Sequence, residues 1–286
     1  MRAVKPFALL PKFLLEPKSL TLALSFPLRM NASSLCSCNL FPLRRRFTGL
    51  QLIGSAGREA QSAIKGEDCP SVEFLVKSFP IAGAQEALLG FMTCKRKATD
   101  AAHSVWKHVI HGGNTVVDAT CGNGYDTVAL LNLIADGSNR GCVYGMDIQA
   151  SALENTSSLL RDAFQQSKRE LVKLFLLCHS RMEDVVQKEV LPVRLVAFNL
   201  GYLPGGDKTI VTKPNTTALA LLAASRILGP GGLISMVVYV GHLGGREELQ
   251  AVLSFISNLP VENWVSFVFE TVDRPNGPVL VFIFKR

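Results

Sequence analysis

The chain has 286 residues, 48% of them hydrophobic, enough for a sizeable core in one large domain or two small ones. The formal charge of +7 sits entirely in residues 1–60, which hold nine Lys/Arg and two Glu; the rest holds 21 basic and 21 acidic residues. The basic balance is therefore no argument that the folded part grips a polyanion, although a local patch remains open. Seven scattered cysteines (36, 38, 69, 94, 121, 142 and 178) form no Cys-x-x-Cys and have no zinc-spaced His pair, which excludes a disulfide framework and a zinc module and predicts reduced thiols.

Residues 1–60 are rich in Leu, Ser, Pro and Arg and poor in acid, and prolines at 6, 11, 17, 27 and 42 interrupt any helix. The segment reads as an organellar transit peptide, plastid ahead of mitochondrion because it is Ser/Pro-rich and not a basic amphipathic helix. A disordered extension without targeting is the other reading. The apolar run 20–28 is too short to cross a membrane, and no membrane partner is expected. Residues 61–94 read as a linker and the start of a helical region, and 95–286 as the catalytic domain. A mainly helical stretch is predicted over 84–110. It contains Lys95-Arg-Lys97, a solvated face or a phosphate contact, and His103, His108 and His111, read as surface or capping residues rather than metal ligands. No metal is expected.

From Thr115 strands and helices alternate regularly. Strands are predicted at 115–120, 141–147, 172–178, 193–199, 233–240, 264–272 and 279–285. Helices are predicted near 124–136, 150–166, 181–189, 216–228 and 245–258. Arg274-Pro-Asn-Gly-Pro278 is too short a turn for a parallel crossover, so the last strand must enter antiparallel. The fold class is α/β, a Rossmann-like sheet of seven mostly parallel strands with the last antiparallel: the class I S-adenosylmethionine-dependent methyltransferase architecture.

The first informative stretch is Asp118-Ala-Thr-Cys-Gly-Asn-Gly-Tyr-Asp126, a strand end, a two-glycine loop and a helix start. Gly122 and Gly124 let backbone approach a ligand at a helix N-terminus. Asp147 ends the next strand 23 residues beyond Gly124, near the offset at which a carboxylate meets a ribose. The third glycine of a dinucleotide fingerprint is missing, since Thr127 stands there. That disfavours a pyrophosphate cradle and a nicotinamide dehydrogenase, and favours S-adenosyl-L-methionine. Cys121 reads as a small turn filler rather than a nucleophile. Ser180, after the third strand, either contacts adenine or caps a helix.

The second stretch, Asn199-Leu-Gly-Tyr-Leu-Pro-Gly-Gly-Asp-Lys208, follows the fourth strand at the topological switch point. Amino-group methyltransferases often carry (Asn/Asp)-Pro-Pro-(Tyr/Phe) here, and Asn199-Leu-Gly-Tyr202 keeps the ends of that pattern. Asn199 and the carbonyl of Leu200, beside Gly201, would accept hydrogen bonds from an amine, and Tyr202 would stack on a base. The alternative is that both side chains only stabilise a loop. Asp207 and Lys208 would orient substrate, or Asp207 only caps its turn. Tyr239 and His242 end the fifth strand at the same edge, His242 as a proton acceptor or an ordinary loop histidine.

Taken together, Asp118–Thr127, Met146-Asp-Ile-Gln149, Asn199–Lys208 and Val238-Tyr-Val-Gly-His242 resemble a bacterial family of rRNA methylases over about 95–286. That family includes the tRNA 5-aminomethyl-2-thiouridine methyltransferases of Gram-positive bacteria and their plant relatives. The resemblance implies methyl transfer to the aminomethyl nitrogen of wobble uridine 34, with the tRNA anticodon stem-loop as substrate. It implies cofactor contacts at Asp118, Gly122, Asn123, Gly124, Asp126, Asp147, Ile148 and Gln149. The chain departs from the family at Tyr125 and Val240, where histidine or a similar residue is common. rRNA methylation, small-molecule amine methylation and a silent binding module on the same fold are the competing readings. The assembly stays open, a homodimer included.

Overall fold

A computed structural model describes residues 85–138, 140–186 and 192–286. The transit-peptide reading of 1–60 and most of the linker reading fall outside them.

The strands are short apolar runs with β-branched residues, the composition that suits a sheet covered on both faces. They are β1 (Thr115–Asp118), β2 (Cys142–Asp147), β3 (Val172–Leu176), β4 (Val193–Leu200), β5 (Leu228–Tyr239), β6 (Trp264–Phe269) and β7 (Pro278–Lys285). They form one sheet in the order β3-β2-β1-β4-β5-β7-β6. β3, β2, β1, β4 and β5 are mutually parallel; β7 runs antiparallel to both β5 and β6. The predicted hairpin therefore forms, and it places the last strand between two earlier ones.

Side chains alternate between two apolar layers, as the period of two requires. Val117, Val196, Phe198, Val281 and Ile283 face one layer; Val116, Leu195, Ala197, Leu280 and Phe282 face the other. Helices α6 (Pro214–Ile227) and α7 (Gly245–Ser257) cover the first layer, through Ala220, Leu221, Ala224, Leu249 and Val252. Helices α1 (Gln85–Met92), α2 (Ala98–Val109), α3 (Tyr125–Ile134) and α4 (Ala150–Ala163) cover the second, through Leu88, Phe91, Trp106, Leu130, Leu131 and Leu160. A single turn, α5 (Gln166–Arg169), follows α4.

Several elements differ from the predicted bounds for local reasons. The stretch 84–110 is two helices, broken at Thr93–Lys97, where Cys94 sits at φ 57. The helix predicted near 181–189 is a 3-10 helix over His179–Asp184. β5 begins at Leu228 rather than at the predicted 233, and takes in Gly229-Pro-Gly-Gly232 as an irregularity. The pairing shifts between Val193↔Leu228 and Leu195↔Leu233, and the Arg194 guanidinium donates to the Pro230 carbonyl.

Among the described residues no helix is long and apolar enough to cross a membrane, and no group of His, Cys, Asp and Glu is arranged to hold a metal ion.

Candidate active site

The carboxyl ends of β1, β2, β4 and β5 open into one cavity of about 1110 Å³ at the β1/β4 switch point. The β1–α3 loop forms its floor. Gly124 caps α3 at φ 88, and a Cβ there would come within 2.8 Å of the Thr156 Cα, so only glycine lets α3 and α4 approach. The Gly122 N–H donates to Asp147 Oδ2 at 3.1 Å, and the Gln149 N–H to Asp147 Oδ1 at 2.9 Å. Thr156 Oγ1 donates to the Gly122 carbonyl, and Asn155 Nδ2 to Asn123 Oδ1. Asn123 Nδ2 reaches the Pro204 carbonyl at 3.1 Å, tying this loop to the loop after β4.

Asp118 lies beneath the loop rather than in the cavity. It is buried, accepting from Thr127 Oγ1 at 2.5 Å and from the Thr120 N–H at 3.3 Å. Burial, then the neighbouring Asp126 charge, pushes its carboxyl up to about 7 against the lowering effect of those hydrogen bonds. Cys121 is buried too, and burial with the Asp118 and Asp147 charges pushes its thiol up. A thiol so held is a poor nucleophile.

The wall opposite is built by β4. The Asn199 backbone N–H donates to Thr120 Oγ1 at 2.7 Å, and its side-chain Nδ2 donates to Asp126 Oδ2 at 3.3 Å. The other Asp126 oxygen is 2.6 Å from His103 Nε2 on α2. This orientation leaves Asn199 Oδ1 available as an acceptor. The loop from Gly201 to Lys213 is closed by the Tyr202↔Val211 bridge and by the Thr212 N–H donating to the Gly201 carbonyl. It is anchored by Glu248 of α7, fully buried, which accepts from Thr212 Oγ1 and Thr217 Oγ1. Burial raises the Glu248 carboxyl above its usual range. Tyr202, 39% exposed at the cavity mouth, meets the His242 ring edge-on at 6.3 Å, and Lys208 Nζ lies 5.7 Å from the centre of its ring. Tyr239 also lines the cavity; burial and then the Asp126 charge raise its phenol.

Gly122, Asn123, Asp126, Asp147, Ile148, Gln149, Asn199, Leu200, Gly201, Tyr202, Tyr239 and His242 all line this one cavity. Gly124, Asp118, Ser180, Asp207 and Lys208 stand outside the lining. Ser180 Oγ instead donates to Cys178 Sγ, and its neighbour His179 faces the cavity, its imidazole pushed down to about 4 by burial. Asp207 accepts from the N–H and the hydroxyl of Thr209, capping its own turn, and these bonds hold its carboxyl low. Among the lining residues that the sequence did not mark as site residues are His103 and Lys213. The contact of His103 with Asp126 spans 23 residues between two helices, and no local pattern encodes it.

The profile of the family described as "Putative rRNA methylase" matches residues 143–285. The Arabidopsis thaliana protein named tRNA (mnm(5)s(2)U34)-methyltransferase, chloroplastic, is 54% identical over 213 residues, covering 73% of this chain and 77% of its own length. The chain belongs to the rRNA methylase family. Among solved structures of similar proteins, a "putative rRNA-methylase" of Clostridium thermocellum is 37% identical (TM-score 0.61), the match covering 67% of this chain and 98% of that one. A methyltransferase of Streptococcus mutans, solved with S-adenosylhomocysteine, is 30% identical (TM-score 0.57), covering 67% and 99%. The sheet is that of a class I S-adenosylmethionine-dependent methyltransferase.

The site fits the cofactor of that family on its own chemistry. The volume lies just above the usual range for small-molecule sites, leaving room for cofactor and a target group together. Both Asp147 oxygens already take one backbone N–H each, which fixes the carboxylate and leaves lone pairs for a pair of ribose hydroxyls. Ile148, 55% exposed beside Leu177, offers an apolar surface for a base.

Proposed function

We propose that this chain transfers a methyl group from S-adenosylmethionine to the aminomethyl nitrogen on wobble uridine 34 of tRNA, giving the methylaminomethyl form. The observation that carries the reading is Asn199, which lines the same cavity as Asp147 and whose Nδ2 is engaged by Asp126, leaving Oδ1 as its acceptor for a substrate. The identity of the substrate rests on the Arabidopsis relative's name. Bound S-adenosylmethionine supplies a methyl group on a sulfonium, already activated for attack by a nitrogen lone pair.

The chain's residues have the remaining work. Asp147 and Gln149 hold the ribose, Gly122 and Asn123 the backbone approach, and Ile148 the adenine. Asn199 Oδ1 and the Leu200 carbonyl accept the amine's two N–H bonds, which aims its lone pair. Tyr202 stacks on the uracil face. Lys97 and Lys213, exposed at the rim, and Lys208 beside Tyr202 supply positive charge for the flanking phosphates of the anticodon loop. These cations are local, which reconciles an RNA substrate with a domain of balanced formal charge.

The site of action is the chloroplast, on the composition of residues 1–60 and the name of the same relative.

The test is to incubate the purified full chain with S-adenosylmethionine and tRNA bearing 5-aminomethyl-2-thiouridine, then analyse the nucleosides by mass spectrometry. Conversion to the methylaminomethyl nucleoside is expected. Unchanged tRNA together with methylated rRNA fragments sinks the reading in favour of rRNA methylation.

A further inference from the structure

An alkylamine is mostly protonated near neutral pH and has no lone pair to offer until it loses a proton. Asn199 cannot take that proton, because an amide oxygen accepts hydrogen bonds but is not a useful base. The residue that fixes Asn199 can. Asp126 is bonded on one oxygen to Asn199 Nδ2 at 3.3 Å and on the other to His103 Nε2 at 2.6 Å. Its side chain is 12% exposed, that of His103 26%. Both line the cavity, so the carboxylate reaches the target site while the imidazole reaches water. The His103 ring is held by Trp106, with ring centres 4.6 Å apart.

We propose that the Asp126–His103 pair is the proton acceptor of this enzyme, a role that rests on the amine-methylation reading above. The ammonium N–H bond breaks with its electron pair left on nitrogen. The proton goes to the Asp126 carboxylate and is shared across the 2.6 Å contact with His103 Nε2. The partly exposed imidazole then returns it to solvent, restoring the pair. Asp126 touches the substrate; His103 is a positioning residue that acts through Asp126. The same carboxylate attracts the incoming ammonium, so one group selects the cation and then neutralises it.

Other ionisable groups surround the pair. Lys97 and Asp100 flank it from the start of α2, Asp118 lies below on β1, and Asp147 ends β2. His179 faces it from beyond β3, and Tyr239 and His242 from the end of β5. Tyr239 feels the Asp126 charge directly. The side-chain hydrogen-bond partners of Asp126 are His103 and Asn199.

The experiment is a single-turnover rate profile against pH for the full chain, wild type and His103→Gln, on tRNA bearing 5-aminomethyl-2-thiouridine. S-adenosylhomocysteine affinity is measured on both proteins. Near neutral pH the variant should be slower by about a hundredfold, the scale of a lost acid–base group. The deficit should close above about pH 9, where an alkylamine supplies its own neutral fraction. S-adenosylhomocysteine affinity should stay within about twofold, since no cofactor-side bond is removed. Asp126→Asn, which keeps the shape, should show the same pH-dependent deficit and carries the test if His103→Gln does not fold. An equal loss at every pH, in either variant, overturns the proton role and leaves only a structural one. Wild-type protein inert on this tRNA at all pH values overturns the amine-methylation reading itself, a result distinct from a flat ratio between active proteins.

Discussion

Asp118→Asn should make the domain more stable near pH 8 while leaving its structure intact. Asp118 is ordinary only in its hydrogen bonds: one oxygen accepts from the Thr120 N–H, the other from Thr127 Oγ1. An asparagine keeps both, with its Oδ1 towards Thr120 and its Nδ2 donating to the Thr127 hydroxyl after that hydroxyl rotates. Only the charge is lost. The carboxyl moves from 3.8 to about 7 on folding, so between those values the folded state holds a proton that the unfolded chain lacks. Stability from this group is therefore present at low pH and falls as pH rises towards 7, by at most about 4 kcal/mol. His179 acts in the opposite sense. Its pKa falls from 6.5 to about 4, so its contribution is present above pH 6.5 and is lost as pH falls through about 4, with a ceiling of about 3 kcal/mol. The two slopes oppose each other in the wild type, and the wild type alone shows little. The difference between Asp118→Asn and wild type isolates Asp118. Urea unfolding from pH 5 to pH 8 should give a difference in favour of the variant that grows with pH and levels off above about 7. A difference that does not vary with pH, or a variant less stable at pH 8, would refute the reasoning.

Gly124→Ala should cost about 2–4 kcal/mol in urea unfolding, from a left-handed alanine and a Cβ pressed against the Thr156 backbone, and should weaken S-adenosylhomocysteine binding by calorimetry. Tyr202→Ala should raise the Kd for tRNA about ten- to a hundredfold, the value of one stacked base, with Tyr202→Phe close to wild type in a filter-binding assay. Asn199→Ala should lower kcat by about a hundredfold through loss of alignment, with S-adenosylhomocysteine affinity kept. Full turnover of that variant removes Asn199 from the mechanism.

The frame of this fold was legible because its signals are local. Thr115–Asp118 is an apolar strand ending in an acid, Gly122 and Gly124 mark the turn, and Pro275–Pro278 forces the hairpin that reverses β7. Asn199 and Tyr202 were legible because the motif sits where a strand ends at the switch point. His103 was not. On a helix it looks like any half-exposed histidine, and its meaning lies in Asp126, a residue of another helix. The irregularity at Gly229–Gly232 was hidden for a related reason. It depends on what packs nearby, with Arg194 filling the bend in β5, and not on the order of residue types.

The insertion of β7 between β5 and β6 sets a timetable. β6 is made before β7 but touches the rest of the sheet only through it. During synthesis, β1 to β5 can associate early, each new strand joining one already present. β5 and β6 must wait as two unsatisfied edges until residues 278–285 arrive and zip both at once. The carboxyl-terminal eight-residue strand is thus the closing stitch of the sheet. A polypeptide cut short before Pro278 would expose two open strand borders, which is the form most prone to aggregate and to be cleared.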